Sequence, residues 1–133
     1  MATVKTFEEL EIWQLARSQV VNFNVLVSET SLSKDFGLRN QMNTSSGSVM
    51  DCIAEGFERS GKNEFKNFLI IAKGSNGEYR SQLYRCLDRM HFSKEKFEVL
   101  MEENLMLGRK LMSLIEYLRK STIQGQRYKQ PGV

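Results

Sequence analysis

The sequence predicts an all-α protein, an antiparallel up-down-up-down four-helix bundle, on three observations. Proline, the strongest helix breaker, occurs once in 133 residues. Apolar residues recur at steps of three and four over four long segments, which is the spacing of helix faces. The connecting segments are short, and helices joined by short turns lie antiparallel to their sequence neighbours.

The first helix is predicted at residues 7–28. Thr6 and Glu9 have the spacing of a capping box, in which each side chain accepts a hydrogen bond from the other residue's backbone amide. The apolar stripe that follows consists of Leu10, Trp13, Ala16, Val20, Phe23 and Val27, and Ile12, Leu15 and Leu26 widen it. Residues 28–34 are expected to form a polar turn from which Leu32 packs back on the core.

The second helix is predicted at residues 35–58. Its core face consists of Leu38, Met42, Ser45, Ser46, Val49, Ile53 and Gly56. The small serines let two helix axes approach closely, or leave room for a large side chain such as Trp13. Gly61 is expected to end this helix, and Asn63 to cap the next one.

The third helix is predicted at residues 63–91, although Gly74-Ser75-Asn76-Gly77 has the composition of a turn. A turn there would give two short helices. The apolar stripe keeps its phase across this segment, with Ala72 and Tyr79 seven residues apart, which favours one continuous helix. Each glycine costs about 1 kcal/mol relative to alanine in a helix. We therefore expect close packing at this point, against a neighbouring helix or another chain.

The fourth helix is predicted at residues 94–121, with Ser93 as its N-cap. Its seam consists of Phe97, Leu100, Met101, Asn104, Leu107, Leu111, Leu114 and Leu118. Asn104 is polar and requires a hydrogen-bond partner in the core. Residues 1–121 are thus predicted to form a single domain, and residues 122–133, where the periodicity ends, a disordered basic tail.

Composition and charge point to a cytoplasmic protein. The net charge is only +3, and the basic residues concentrate in the third quarter and the tail. Acidic residues occupy the place where a signal peptide would need an apolar core, and no apolar run has the length of a membrane span. Cys52 and Cys86 have no further Cys or His at metal-ligand spacing, so we expect two reduced, mostly buried thiols.

Several segments carry a family resemblance. Ile53-Ala54-Glu55-Gly56-Phe57-Glu58-Arg59 and Ile71-Ala72-Lys73-Gly74-Ser75 are the most specific, and Asp35 to Gln41 and Leu10 to Trp13 extend the likeness. Together these segments resemble the bacterial four-helix-bundle family of 23S rRNA intervening-sequence proteins. The resemblance covers about residues 7–120.

The resemblance implies a protein without enzymatic activity or cofactor that forms a homo-oligomer, a five-fold ring. It marks Glu55, Gly56, Gly74 and Ser75 as a structural motif. It also implies RNA or a nucleoprotein as a partner, since related accessory proteins of diversity-generating retroelements engage nucleic acid and reverse transcriptase. The family's arginine pair is replaced here by Asn43 and Thr44, which removes two cations.

A row of cations at seven-residue steps is the first candidate contact surface for nucleic acid. Such a row, on one edge of the third helix, could follow a phosphate backbone; the alternative is a solvated flank that forms salt bridges. In the tail, Tyr128 lies between two cations, which suits base stacking, although basic termini often bind nothing. The candidate contacts are Arg59, Lys62, Lys66, Lys73, Arg80, Arg127 and Lys129.

No catalytic, cofactor or metal site is predicted. Glu55 is expected to be partly buried, beside a cation from the third or fourth helix or from a neighbouring subunit; the alternative is a general acid or base with a shifted pKa. His91 is the only histidine and is expected to cap the end of its helix. With Asp88 it forms one Asp-x-x-His copy, whereas ferritin-like sites need Glu-x-x-His pairs on facing helices.

These observations predict a non-enzymatic, self-associating adaptor that contacts RNA or a nucleoprotein and does not enter a membrane. The alternative is a protein-only oligomeric scaffold with no nucleic-acid binding.

Overall fold

The structure, a computed structural model, describes residues 3–121. It contains four α-helices: α1 (Glu11–Glu29), α2 (Phe36–Glu58), α3 (Lys62–Asp88) and α4 (Lys94–Lys120). Two 3₁₀ segments, Phe7–Glu9 and Ser31–Lys34, precede α1 and α2, and there is no strand among residues 3–121. The all-α, four-helix prediction is confirmed.

Neighbouring helices run in opposite directions. Three helix pairs each have two contacts at different heights in the bundle. In each pair, the contact that is later in the sequence of one helix is the earlier one in the sequence of the other. The joined residues are Ser45–Gln82 and Ser48–Ser75 between α2 and α3, Asn76–Asn104 and Tyr84–Phe97 between α3 and α4, and Glu11–Lys110 and Asn22–Glu103 between α1 and α4. This order makes the bundle up-down-up-down.

The chain enters α1 differently from the prediction. Leu10 has an extended backbone, with φ −72° and ψ 126°, and separates the 3₁₀ turn Phe7–Glu9 from α1. The Glu9 carboxylate accepts from the backbone amides of Thr6 at 3.1 Å and Lys5 at 2.6 Å. Glu9 therefore caps the short turn, and a single helix over residues 7–28 is wrong at its first turn.

In the turn between α2 and α3, the residue that ends α2 and the residue that caps α3 differ from the prediction. Ser60 takes the left-handed conformation, with φ 68°, and ends α2 in the position where glycine is usual. Gly61 has φ −99° and is the N-cap of α3, which begins at Lys62. The predicted roles of Gly61 as the stop and Asn63 as the cap are therefore wrong.

Helix α3 is continuous across Gly74 and Gly77, as predicted, but ends before His91. Met90 has φ 61°, and His91 N donates to Cys86 O at 3.0 Å while Met90 N donates to Leu87 O at 2.9 Å. These two bonds form a Schellman motif, which ends the helix by a left-handed residue. His91 is thereby turned away from the helix and towards the start of α2.

The buried face of α1 consists of Ile12, Ala16, Gln19, Phe23 and Leu26, all of them members of the predicted stripe except Gln19. Trp13, Val20 and Val27 are only partly buried. The predicted seam of α4 is confirmed except at Met101, which is partly buried, and Ser93 caps α4 by accepting from Lys96 N at 3.2 Å.

A buried polar layer divides the core into two apolar clusters. Asn104 Nδ2 donates to Gln19 Oε1 at 2.9 Å and to Asn76 Oδ1 at 3.0 Å, and Gln19 Nε2 donates to Asn76 Oδ1 at 3.1 Å. Asn76 Nδ2 donates in turn to Asn104 O at 3.1 Å. Leu100 and Leu107 belong to different clusters on either side of this layer. The required partners of Asn104 are thus on α1 and α3.

No helix among residues 3–121 combines the length and the apolar character that crossing a membrane requires.

We expect Asn104→Leu to lower the free energy of unfolding by about 1 to 3 kcal/mol, because the buried Oε1 of Gln19 loses the donor that Asn104 supplies. Urea denaturation measures this, with Met101→Leu as a control on the same helix that should change by less than about 1.5 kcal/mol. Replacing Gln19, Asn76 and Asn104 together by leucine should recover much of the loss, since no buried amide then lacks a partner. A single variant as stable as the parent would contradict this role.

Candidate nucleic-acid interface

One edge of α3 carries a line of cations beside α4. Lys66, Lys73 and Arg80 are seven residues apart, so successive charges lie about 10.5 Å apart along the helix axis. Lys73 and Arg80 line a groove whose opposite wall is α4, where Arg109 lies. The structure thus places cations on both walls of one groove.

The groove has glycine in its surface on each helix. It has a volume of about 270 Å³ and is lined by Lys73, Asn76, Gly77, Arg80, Leu105, Gly108, Arg109 and Met112. A Cβ at Gly77 would meet no atom within 4 Å, and one at Gly108 would lie 3.4 Å from Asn76 Nδ2. The missing side chains leave the space between the cations open.

The groove is electrostatically unbalanced. Lys66, Lys73 and Arg80 form no ion pair with any residue of the described range 3–121. Arg109 lies 3.4 Å from Glu102, but both side chains are about two-thirds exposed, at 63% and 68%. Exposed pairs of this kind contribute little and exchange partners readily. These cations can therefore meet an anionic ligand at low cost.

Two of the predicted contacts are engaged in holding the bundle together. Arg59 lies 3.0 Å from Glu55 and 3.5 Å from Glu64, and its guanidinium stacks on the Phe68 ring at 5.2 Å. The hydrogen bond that Arg59 donates to Glu55 raises the pKa of Arg59. Lys62 donates to the carbonyl of Ser121 at the end of α4. The other two predicted contacts, Arg127 and Lys129, lie outside the described residues.

Glu55 is not buried, contrary to the prediction. Its side chain is 54% exposed, and its partner is Arg59 of the same helix rather than a cation from α3, α4 or another subunit. The reason is the helix geometry, since each residue turns the side chain by about 100° and the neighbour of a buried residue can face solvent. Glu55 therefore forms an ion pair within the last turn of α2.

Gly56 and Ser75 do bring α2 and α3 together. A Cβ at Gly56 would lie 2.5 Å from Phe68 Cβ and 3.3 Å from Phe65 Cδ1, so only glycine permits this approach. Further along, Ser75 Oγ lies 3.0 Å from Ser48 Oγ. Both contacts join α2 and α3 through small residues.

Gly74 and Gly77, unlike Gly56, are not required by a close contact between helices. A Cβ at either position would meet nothing within 4 Å, so the expected packing against a neighbouring helix of the same chain is wrong. Gly74 faces solvent on the outer surface of α3, and Gly77 opens the groove. Packing against another chain stays a prediction.

The sequence reasoning missed the apolar members of the same α3 edge. A residue and the position four residues after it lie on the same helix face. The positions four residues after the three cations are Ile70, Gly77 and Tyr84. Ile70 is 43% exposed and Tyr84 50% exposed. The Tyr84 ring packs edge-on against Phe97 of α4, with centroids 4.9 Å apart. A search at three- and four-residue steps, rather than seven, would have found them. We call this surface the cationic edge: Lys66, Ile70, Lys73, Gly77, Arg80 and Tyr84.

A second cluster, also missed, joins the end of α3 to the start of α2. His91 Nε2 lies 2.8 Å from Asp35 Oδ2, and His91 Nδ1 lies 2.7 Å from Ser31 Oγ. Arg89 donates to the same Asp35 oxygen at 2.8 Å. The hydrogen bonds from His91 and then Arg89 lower the pKa of Asp35 to about 2. The His91 imidazole thus binds side chains of another segment, and only the backbone amide of His91 caps a carbonyl of its own helix.

This cluster has the order of contacts of a Ser-His-Asp relay. However, Asp35 is also the N-cap of α2, with Oδ1 accepting from Leu38 N at 3.4 Å, and its other oxygen is shared with Arg89. We interpret the cluster as a contact that holds the end of α3 against the start of α2.

Burial raises the pKa of Cys86 to about 12, which keeps that thiol protonated. Within residues 3–121, no three His, Cys, Asp or Glu side chains gather where they could hold a metal ion.

Comparison with known proteins identifies a family and solved structures of similar fold. The model of a family described as 23S rRNA-intervening sequence protein matches residues 8–113. A solved structure from Bacteroides thetaiotaomicron, a protein with unknown function from the S23 ribosomal protein family, is similar with a TM-score of 0.71 at 20% sequence identity. The alignment covers 79% of this chain and 95% of that one, and shows a shared fold. No curated protein sequence matches significantly.

We expect Asp35→Asn to lower the free energy of unfolding at neutral pH by about 1 to 2 kcal/mol, a value discounted for the part of the carboxylate that stays in water. The folded-state pKa is about 2, against an ordinary value of 3.8, so the stabilisation is complete above about pH 4 and is lost as the pH falls through 2. Urea denaturation of parent and variant should therefore give a difference that shrinks between pH 4 and pH 2. An equal difference at pH 7 and pH 2 would contradict this.

Proposed function

This chain belongs to the family of 23S rRNA-intervening sequence proteins, and from that premise we propose that it is a non-enzymatic, self-associating adaptor. Its partner is RNA or a ribonucleoprotein, and the contact surface is the cationic edge of α3 with Arg109 of α4. The observation that carries the proposal is that cations on both walls of one groove have no buried carboxylate partner within residues 3–121.

The physical basis is counterion release. Each Lys or Arg that contacts a phosphate displaces condensed counterions, so affinity arises from the charges themselves and falls as salt rises. Lys73 and Arg80 need break no ion pair before they bind, whereas Arg59 would have to leave Glu55 and Glu64. The groove cations are therefore better suited to a phosphate backbone than the cations at the turn between α2 and α3.

Self-association is supported by the outer face of α3. Gly74 keeps the cost of a helical glycine, about 1 kcal/mol, without contacting any atom of the described chain at its Cβ position. Ile71, one turn away, is 52% exposed. A helix of a second copy packed on this face would cover Ile71 and approach closely at Gly74.

A protein-only scaffold is the second candidate, and the same face favours it. If α3 serves mainly to hold subunits together, the groove cations would form salt bridges across a subunit interface instead of binding phosphate. Salt separates the two, since an apolar protein interface keeps its partner at ionic strengths that release nucleic acid.

We expect Lys73→Glu with Arg80→Glu to weaken RNA binding by at least about tenfold and to lower the salt slope of log K by about two, because two phosphate contacts are lost. Fluorescence anisotropy with a labelled RNA at several salt concentrations measures both. Lys34→Glu with Lys96→Glu makes the same charge change at exposed positions away from the groove and serves as the control. RNA affinity that both double variants change equally would rule out the groove as the contact surface.

We expect Gly74→Glu to reduce the mass of the particle in solution, since a charged side chain would be placed where a second copy packs. Sedimentation equilibrium measures the mass. Gly37→Glu, at an exposed helical position that also has no atom within 4 Å, should leave it unchanged. A parent chain that sediments as a monomer, or a Gly74→Glu variant with the parent mass, would exclude self-association through this face.

A further inference from the structure

We infer that the cationic edge binds a single extended strand of nucleic acid in preference to a duplex. This inference rests on the proposed function and specifies its ligand. Three features of the described residues lead to it: the position of α3 in the bundle, the order of side chains along the edge, and the glycine at its centre.

The position of α3 disfavours a duplex. A helix that reads a DNA duplex enters a major groove about 12 Å wide, and for that it must project from its domain. The major groove of an RNA duplex is too narrow for side chains to read. Helix α3 is packed along both flanks, against α2 at Gly56 and Ser75 and against α4 at Asn76 and Tyr84. The cations therefore line a groove between two packed helices, and α3 does not project as a helix that enters a duplex does.

The order of side chains matches a strand with unpaired bases. Along the edge, Lys66, Lys73 and Arg80 alternate with Ile70, Gly77 and Tyr84 at steps of three and four. Proteins that bind single strands combine cations that follow the backbone with rings on which bases stack. The Tyr84 ring is half exposed and is held by Phe97, so one face can receive a base without first being ordered. In a duplex the bases are already stacked on each other.

Gly77 provides the opening for the backbone. It lies between Lys73 and Arg80 and opposite Arg109, and a side chain there would project into the groove without meeting any atom of the bundle. Substitution at Gly77 should therefore leave the fold intact and obstruct the ligand. Gly37, an exposed glycine of α2, has the same freedom and lies away from α3, which makes it a matched control.

The test is an anisotropy titration of the full chain with a labelled single-stranded RNA and with the same strand annealed to its complement. We expect the single strand to bind at least about tenfold more tightly. Tyr84→Ala should lower its affinity by about 5- to 100-fold, the range for loss of a stacking ring, while Tyr84→Phe keeps the affinity. Phe36→Ala, which removes another exposed aromatic ring from α2, should have no effect.

In the same assay, Gly77→Met should weaken single-strand binding by about tenfold or more, and Gly37→Met should not. Thermal unfolding of each variant confirms that the fold is kept. Equal affinity for duplex and single strand, equal effects at Gly37 and Gly77, or displacement of RNA by a polyglutamate of the same charge would overturn the inference. If Lys73→Glu with Arg80→Glu still weakens RNA binding in that case, the proposed function stands; if the parent chain binds neither RNA, both fail.

Discussion

Asn76 and Asn104 exchange side-chain-to-backbone hydrogen bonds across the middle of the bundle, and Gln19 joins them from α1. A buried amide without a partner is costly in a low-dielectric core. A shift of α3 along α4 by one residue would replace these bonds with unpaired groups, so the layer sets the register of the helices. Asn76 also lines the groove, and this register places Gly77 opposite Gly108 and Arg109.

The cations of the chain divide into two groups by what surrounds them. Arg59 and Lys62 fasten the ends of α2 and α4 to α3, and Arg89 fastens the end of α3 to Asp35. Of the groove cations, Arg109 forms an exposed ion pair with Glu102, and Lys73 and Arg80 form none within residues 3–121. Because a fastened cation must give up a partner before it binds another, the proposed function draws on the cations that lie between the fastened ends of α3, on the side of α4.

Much of the fold could be predicted because four long segments show a helix period and short turns separate them. The continuity of α3 through Gly74 and Gly77 followed from phase alone. On α1 the sequence predicted Val20 and not Gln19 on the buried face, because Val20 is apolar and Gln19 is polar. Only the partners offered by Asn76 and Asn104 make the burial of Gln19 favourable. The candidate site was predicted in part, since charge repeats are visible in a sequence but the ion pairs of Arg59 are not.

By itself the sequence determined the helices, their antiparallel order and the line of cations on α3, because helix periodicity and chain connectivity are local properties. The tertiary structure alone decided that His91 meets Asp35 across 56 residues, that Gly56 is required by Phe68 whereas Gly74 is not, and that Arg109 faces Arg80. These outcomes depend on the rotation of each helix about its axis and on the shift between helices. Both are set by packing and buried hydrogen bonds between residues far apart in the chain.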